Sequence, residues 1–238
     1  MITMIYNNAG TAEGLENAWG LAAWIEYDQQ VLLFDTGGDP EILSANMETL
    51  RLDPGKIDKI FISHDHWDHM GGLEMVLGRM DRKPDLYITA NTENTYREKY
   101  VGASIIPVST PLQIDDHAWS TGSFETIYKN NKLQEHSLVL VNEDSMVLLA
   151  GCSHPGITEI TERALLNHPD KKMLLVTGGF HLAMKTRKKV VNISGKMKEM
   201  GVQKIAPSHC TGESSIGIFE KDWGNDFVNI NIGDRFVF

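Results

Sequence analysis

The sequence has little cysteine and no long apolar run. Only two cysteines, Cys152 and Cys210, occur among 238 residues, too few for a disulfide framework and typical of a reducing compartment. No stretch reaches about 18 uninterrupted apolar residues, the length of a transmembrane helix. The N-terminus also lacks a basic segment followed by an apolar run. We therefore expect a cytoplasmic protein that does not bind a membrane.

Positive charge is scarce as well. The chain has 22 Lys and Arg against 32 Asp and Glu, which gives a formal net charge of −10. Because such a surface repels a polyanion, we expect no nucleic acid partner. Repeats, low-complexity segments and linkers are not found, and 42% of the residues are hydrophobic. Residues 1–238 are therefore expected to form a single domain with a substantial core.

One short segment concentrates side chains that bind metals. Four of them fall within six residues: His64, His66, Asp68 and His69. The apolar residues 59–62 before them predict a buried strand. If the backbone stays extended after that strand, the first two histidines project to the same side, as two ligands of one metal must. The aspartate and the last histidine follow in an expected turn and offer one oxygen and one imidazole to a second metal. The segment therefore predicts a metal site.

The order of these residues resembles a known signature. Residues 64–69 are similar to the HxHxDH motif of the metallo-β-lactamase superfamily, whose members are mostly dinuclear zinc, iron or manganese hydrolases. Further segments resemble motifs of the same superfamily: FDTG at 34–37, GCSHPG at 151–156, GGFHL at 178–182 and SHCTG at 208–212. Their combination is similar to a subgroup called dihydropterin ribofuranosylaminobenzene phosphate synthase-like. The resemblance implies an α/β fold over essentially the whole chain, the four-layer αββα sandwich of the metallo-β-lactamase fold.

The resemblance also implies residues outside the HxHxDH segment. His209 matches the last histidine ligand, and Asp35 matches an aspartate that supports the metal loop by hydrogen bonding. The sequence departs from the pattern where Leu133 and its neighbours replace a histidine, and where Cys152 replaces an aspartate. His154 is expected as the substitute ligand, with a hydrogen-bonded loop histidine as the alternative. Cys152 is either a thiolate ligand or a buried packing residue.

His181 follows a predicted buried strand at 173–177 and two glycines that allow a close approach of backbone or substrate. Its candidate roles are binding a substrate phosphate or carbonyl, or donating a proton to a leaving group; loop packing is the alternative. A lysine-rich helix is expected at 185–200. Such a run of lysines usually forms a solvated helix face, and part of this one would attract an anionic substrate. His117 and His136 are expected to be surface or packing residues.

Imidazoles with one carboxylate suit zinc, manganese or iron(II) better than a cysteine-type structural zinc site. We expect two divalent metal ions as cofactors, with zinc as the first choice and manganese or iron as alternatives. The hypothesis assigns them two sets of ligands: His64, His66 and His154, and Asp68, His69 and His209. A metal-bridging hydroxide, oriented by Asp68, would attack an ester bond while His181 assists the leaving group.

The expected substrate is a small, anionic molecule, and the expected reaction is hydrolysis of a phosphoester or lactone-like bond. The name of the subgroup suggests a different enzyme, a synthase that condenses a dihydropterin with ribofuranosylaminobenzene phosphate by group transfer. A third hypothesis is a non-catalytic module that binds a metal or a ligand. The sequence shows no appended domain that such a module would use, so hydrolysis remains the main prediction.

Hydrophobic patterning predicts the remaining elements. Strands are expected at 2–6, 21–27, 31–34, 85–89, 137–141, 146–150, 203–206, 227–230 and 235–238. Helices are expected at 73–80, 92–100, 158–168 and 212–219, and one more runs to Leu50 from Asp39 as N-cap and Pro40 at its first position. Residues 101–136 give no clear pattern.

Overall fold

The computed structural model describes residues 1–237. They form fifteen strands: β1 (Ile2–Asn7), β2 (Leu21–Tyr27), β3 (Gln30–Phe34), β4 (Lys59–Phe61), β5 (Asp85–Thr89), β6 (Ser104–Val108), β7 (Leu112–Gln113), β8 (Ala118–Ser120), β9 (Phe124–Tyr128), β10 (Asn131–Glu135), β11 (Leu138–Val141), β12 (Ser145–Ala150), β13 (Lys172–Gly179), β14 (Lys204–Ser208) and β15 (Arg235–Phe236). Seven α-helices accompany them: α1 (Pro40–Thr49), α2 (Trp67–Met70), α3 (Leu73–Gly78), α4 (Glu93–Lys99), α5 (Ile157–Asn167), α6 (Arg187–Glu199) and α7 (Glu213–Trp223). The predicted α/β class is confirmed.

The chain divides into two compact units by its internal contacts. The first unit contains residues 1–109 and 231–237, and the second contains residues 110–230. The division describes contacts within the chain, and the prediction of a single domain stays a prediction. None of the helices in residues 1–237 combines the length and the apolar content needed to span a bilayer.

The first unit is built on a seven-stranded sheet in the order β15-β1-β2-β3-β4-β5-β6. Strands β2 and β3 form an antiparallel hairpin, and its two turn residues, Asp28 and Gln29, have the positive φ angles that suit the twist of a tight hairpin. Strands β3 to β6 are parallel. Because Phe34 pairs with Phe61, β3 and β4 end at the same edge of the sheet. Asp35 and the HxHxDH segment therefore begin side by side.

The second unit is built on a six-stranded sheet in the order β14-β13-β12-β11-β8-β7, with β9 and β10 as a separate hairpin. Strands β12, β13 and β14 are parallel and end at one edge. The segments that follow them carry Cys152 with His154, then His181, then His209. A buried apolar cluster from this sheet and from α5, α6 and α7 fixes the strands behind that edge.

Most predicted elements are present, and two predictions are wrong. Asp68 and His69 do not lie in a turn but on α2, whose first turn forms because the His66 carbonyl accepts the amides of His69 and Met70 at 3.0 and 3.2 Å. Residues 227–230 are not a strand, since only one bridge joins Phe227 to Ile205 of β14.

The bridge to β14 cannot extend into a ladder. Val228 donates to the Ile205 carbonyl at 2.9 Å, but the next donor on β14 would be Pro207, which has no N–H group. The final predicted strand is shorter than expected as well. It ends as β15 at Phe236, and Phe238 lies outside the described residues.

The cap of α1 gives a first prediction. The Asp39 carboxylate accepts the amides of Glu41 and Ile42 at 2.8 and 3.3 Å. Asp39→Ala removes this acceptor and should lower the free energy of unfolding by about 1 kcal/mol. Asp39→Asn keeps an acceptor and should change it by only a few tenths. Urea unfolding monitored by circular dichroism measures both, and equal losses in the two variants would contradict the capping role.

Candidate metal centre

The HxHxDH segment brings its first two histidines together. His64 is buried, and its Nε2 atom lies 3.0 Å from Nδ1 of His66. Two nitrogen ligands on a tetrahedral zinc ion are about 3.3 Å apart when each Zn–N bond is about 2.0–2.1 Å. The nitrogen atoms therefore have the spacing of two ligands that face one ion.

Helix α2 places the other two residues of the segment beside each other. Asp68 and His69 are both buried, and Oδ2 of Asp68 lies 3.8 Å from Nε2 of His69. The His69 ring is also 4.2 Å from the His64 ring, centroid to centroid. Trp19 donates its indole N–H to Oδ2 of Asp68 at 2.8 Å, which fixes the carboxylate. All four predicted residues of the segment thus lie in one cluster.

Asp35 holds this cluster in place. Its fully buried carboxylate accepts the Ser63 amide at 2.7 Å and the Ser63 hydroxyl at 2.8 Å, and it lies 2.7 Å from Nδ1 of His69. The Ser63 hydroxyl is in turn 3.0 Å from Nδ1 of His64. Both histidines thus have Nδ1 engaged, so Nε2 is the atom available to a metal, as is usual for metal-binding histidines. The predicted hydrogen-bonding role of Asp35 is confirmed.

Burial shifts the pKa of the Asp35 carboxyl. Desolvation raises the pKa of Asp35, and the His69 imidazole and the Ser63 donors lower it only in part. Burying a carboxylate here therefore costs free energy, and the three polar groups that contact it, the Ser63 amide, the Ser63 hydroxyl and the His69 ring, offset that cost by hydrogen bonding.

A second buried carboxylate organises the second unit. Glu135, the last residue of β10, accepts the amides of Cys152, Ser153 and His154 at 2.9, 2.6 and 2.8 Å. Its Oε2 atom also lies 2.9 Å from Nδ1 of His154. His154 is therefore a hydrogen-bonded loop histidine through Nδ1, with Nε2 as the other nitrogen of the ring. Both readings of His154 made from the sequence remain compatible with this geometry.

Glu135 was not found from the sequence, although it lies two residues from Leu133, where the superfamily pattern led us to look for a histidine. Burial raises the pKa of Glu135, but hydrogen bonds from His154 and from the loop amides, together with the charge of His154, outweigh burial. The net pKa lies below the ordinary value of 4.5. A lone acidic residue directly before an apolar hairpin strand was the only signal in the sequence.

His181 lies next to His154. Their ring centroids are 4.5 Å apart, and the Tyr128 ring contacts both, at 4.6 Å from His154 and 5.5 Å from His181. The Nδ1 atom of His181 is buried without a hydrogen-bond partner within residues 1–237. One donor atom each from Cys152, His154 and His181 lies within 4.8 Å of the others. His154 and His181 are therefore neighbours in the second unit.

His209 follows β14 and is buried. Gly179 makes room here, because a Cβ on it would lie 2.4 Å from the Gly151 carbonyl and 3.2 Å from the His209 ring. A Cβ on Gly178 would lie 1.9 Å from the Ala150 carbonyl. The two glycines thus allow the ends of neighbouring strands to approach each other.

The backbone of the candidate residues is strained. Residues other than glycine rarely adopt positive φ, yet four of those described above do: Asp35 (52°), Ser153 (59°), His181 (53°) and His209 (49°). Such conformations cost free energy and persist where the surroundings hold them, often at functional sites.

The remaining two histidines named from the sequence are packing residues. His136 is buried with Nδ1 at 2.9 Å from the Ser120 hydroxyl. His117 is half-buried with Nδ1 at 3.1 Å from the Val141 carbonyl. Their predicted role is confirmed.

Comparison with known proteins agrees with these observations. The family model described as metallo-beta-lactamase superfamily matches residues 20–126. This part of the chain is therefore similar to that superfamily. Its first motif and the HxHxDH segment fall inside the matched residues, and the loops that carry His154, His181 and His209 lie beyond them.

Other similar proteins match over nearly the whole chain. The chain is 25% identical over 275 residues to the 7,8-dihydropterin-6-methyl-4-(beta-D-ribofuranosyl)-aminobenzene-5'-phosphate synthase of Methanocaldococcus jannaschii, covering 97% of this chain and 94% of that one. A crystal structure of a metal-dependent hydrolase of the beta-lactamase superfamily matches with a TM-score of 0.78 at 22% identity, over 98% of this chain and 96% of that one. The metallo-beta-lactamase fold protein YhfI from Bacillus subtilis matches with a TM-score of 0.70 at 14% identity, over the same shares. The predicted metallo-β-lactamase fold is confirmed.

The role of Asp35 yields a prediction for metal binding. Asp35→Asn replaces an acceptor oxygen with an amide group that cannot satisfy both Ser63 and His69. We expect the affinity for zinc to fall about 10–100-fold, as it does when groups that orient metal ligands are lost. Competition with a chromophoric chelator measures it. Asp58→Asn is the control, because Asp58 accepts the Val31 amide elsewhere in the first unit; equal affinities for Asp35→Asn and wild type would refute the assignment.

Glu135 yields a prediction for pH dependence. Because its pKa is lowered in the folded state, its contribution to stability is present at neutral pH and is lost as the pH falls through that pKa. In metal-free protein at about pH 7, Glu135→Gln should lower the free energy of unfolding by on the order of 1–3 kcal/mol, since buried amides lose a charged acceptor.

Urea unfolding should be repeated between about pH 7 and pH 3. The difference in the free energy of unfolding between wild type and Glu135→Gln should shrink over this range, because only the wild type carries an ionisable side chain at position 135. Glu125→Gln changes an exposed carboxylate on the neighbouring strand β9 and should give a small difference at every pH. A Glu135→Gln difference that stayed constant across this range would rule out the lowered pKa as its source.

Proposed function

We propose that this chain is a metal-dependent hydrolase with a dinuclear centre. One observation carries the proposal: in each unit a buried carboxylate engages Nδ1 of a histidine, Asp35 for His69 and Glu135 for His154. Paired carboxylate and histidine side chains of this kind fix the ring orientation and raise the basicity of the other nitrogen, which suits metal ligation. Similarity of residues 20–126 to the metallo-beta-lactamase superfamily, and of the fold to a metal-dependent hydrolase, supports the same proposal.

The proposed ligands fall into two sets, as expected from the sequence. One set is His64, His66 and His154, and the other is Asp68, His69 and His209. Within the first unit the donor atoms fit metal ions, because the His64–His66 and Asp68–His69 spacings are 3.0 and 3.8 Å. Imidazole and carboxylate donors suit zinc first, and also manganese or iron(II).

When bound, two divalent ions lower the pKa of a water molecule and polarise the ester that it attacks. Two side chains of this protein then orient the water and transfer a proton. Asp68, held by the Trp19 indole, accepts a hydrogen bond from the attacking water and orients it. His181, whose Nδ1 atom is buried without a partner within residues 1–237, donates a proton to the leaving group.

We propose an anionic small molecule with a phosphoester or lactone-like bond as the substrate. A cavity of about 200 Å³ in the second unit is lined by His154 and His181 together with Thr158, Lys185 and Lys189. The two lysines are exposed, and they supply positive charge beside the histidines in a chain whose net charge is −10. Such local charge attracts an anion toward an otherwise acidic protein.

A second candidate is the condensation of a dihydropterin with ribofuranosylaminobenzene phosphate. It is favoured by the near complete coverage of the Methanocaldococcus jannaschii synthase. Incubation of the metal-loaded protein with both substrates, followed by mass spectrometry, would reveal a coupled product, whereas the hydrolase releases an alcohol and a phosphate or a hydroxy acid from ester substrates. Metal binding without either product would instead indicate a non-catalytic binding module.

The hydrolase proposal predicts strong dependence on metal and on the HxHxDH segment. His66→Ala and Asp68→Ala should each lower kcat/KM on phosphodiester, phosphomonoester or lactone substrates by more than about a hundredfold, because a direct ligand contributes more than the groups that orient it. Circular dichroism should show a retained fold. Removal of metal with a chelator should abolish turnover, and added zinc, manganese or iron(II) should restore it.

His117→Ala is the matched control, since His117 is a packing histidine outside the cluster. It should keep nearly full activity. Turnover that persists in metal-stripped Asp68→Ala protein would contradict the proposal.

A further inference from the structure

Cys152 occupies the position where the superfamily pattern has an aspartate, and its surroundings are those of a ligand. The residue is 3% exposed. Its Sγ atom belongs to a group of three donor atoms, one each from Cys152, His154 and His181, that lie within 4.8 Å of one another. A tetrahedral zinc ion with Zn–S of about 2.3 Å and Zn–N of about 2.0 Å separates sulfur and nitrogen by about 3.6 Å. The sulfur of Cys152 and a ring nitrogen of His154 are therefore within reach of a single ion.

The loop that carries Cys152 is fixed before any metal binds. Glu135 accepts the amides of Cys152, Ser153 and His154, and the Ser153 hydroxyl donates to the Gly179 carbonyl at 2.6 Å. The backbone is therefore held at each of these residues, and Glu135 also holds the His154 ring through Nδ1. Preorganisation of this kind lowers the entropy cost of binding an ion.

The charge of the site gives a second, separate reason to regard Cys152 as a ligand. The proposed ligand set contains five imidazoles and one carboxylate, and the buried carboxylates of Asp35 and Glu135 add two more negative charges. Two divalent ions would therefore leave a net charge of about +1 in buried surroundings, and burial of unbalanced charge is costly. A thiolate at position 152 supplies the negative charge that an aspartate would have supplied. A neutral packing cysteine would leave the charge of the ions unbalanced.

We infer that Cys152 is a thiolate ligand of the metal centre, bound next to His154. The inference rests on the proposed function for the presence of the metal. Thiolate is a soft donor that suits zinc, cobalt and iron(II), whereas magnesium and manganese prefer oxygen ligands. The centre of this chain therefore selects thiophilic ions, in contrast to a site with aspartate at the same position.

Cobalt(II) substitution tests the inference without relying on activity. A thiolate bound to cobalt(II) gives an intense charge-transfer band in the near ultraviolet, and only two cysteines, Cys152 and Cys210, can produce it. Wild-type protein loaded with cobalt should show the band. Cys152→Ser should lose it and bind zinc at least about tenfold more weakly, while Cys152→Asp should recover zinc affinity without the band.

Cys210→Ser is the matched control, because Cys210 is equally buried and donates its thiol to the Cys152 carbonyl at 3.5 Å. It should keep the band. If the Cys152 variants fail to fold, X-ray absorption at the zinc edge of the wild-type protein replaces them, with one sulfur neighbour expected at about 2.3 Å.

The outcomes separate the inference from the proposed function. Cobalt bound without the band, a band that vanishes in Cys210→Ser but persists in Cys152→Ser, or zinc without a sulfur neighbour would each overturn the inference and leave a metal-dependent hydrolase in place. Failure of the wild-type protein to bind any divalent ion would overturn both.

Discussion

Two buried carboxylates determine the arrangement of the candidate centre. Asp35 and Glu135 are completely buried. Asp35 accepts one loop amide and Glu135 accepts three, and each also contacts a histidine ring. A buried carboxylate without such donors would be strongly destabilising, so the loops cannot move without a large cost in free energy. The same hydrogen bonds fix the tautomer of the histidines. Folding stability and ligand orientation therefore depend on the same contacts, and a change in one alters the other.

The parallel strands explain how these contacts arise from a linear sequence. In each unit consecutive parallel strands end at a common edge, so short segments that are distant in sequence lie side by side there. Backbone strain accompanies this arrangement, since Asp35 and His209 adopt positive φ directly after a strand and His181 does so two residues after one. At that edge the backbone turns sharply at these residues. Their side chains therefore point in directions that a regular strand would not give them. The sheets thus supply the rigidity that keeps these strained residues in place.

Much of the fold and part of the site could be predicted from the sequence. Apolar runs identify the central strands because those strands are buried on both faces, and the HxHxDH spacing identifies one cluster because its ligands are local. Glu135 escaped prediction because its function depends on three amides from a loop 17 to 19 residues away, and no local pattern records such a contact. The short, half-exposed strands β7 to β10 escaped it as well, since their alternation of polar and apolar residues is too brief to stand out.

The hairpin of β9 and β10 has a consequence for how this protein could diversify. Tyr128 touches both His154 and His181, yet it is immediately followed by the exposed turn residues Lys129 and Asn130. Insertions in such a turn are tolerated because its backbone is not buried. A lineage that lengthened this turn would displace the phenol ring and reshape the space above the imidazoles, while the strands that hold the imidazoles stayed unchanged. The shape of the candidate centre can therefore change through a few surface residues while its histidines stay in place.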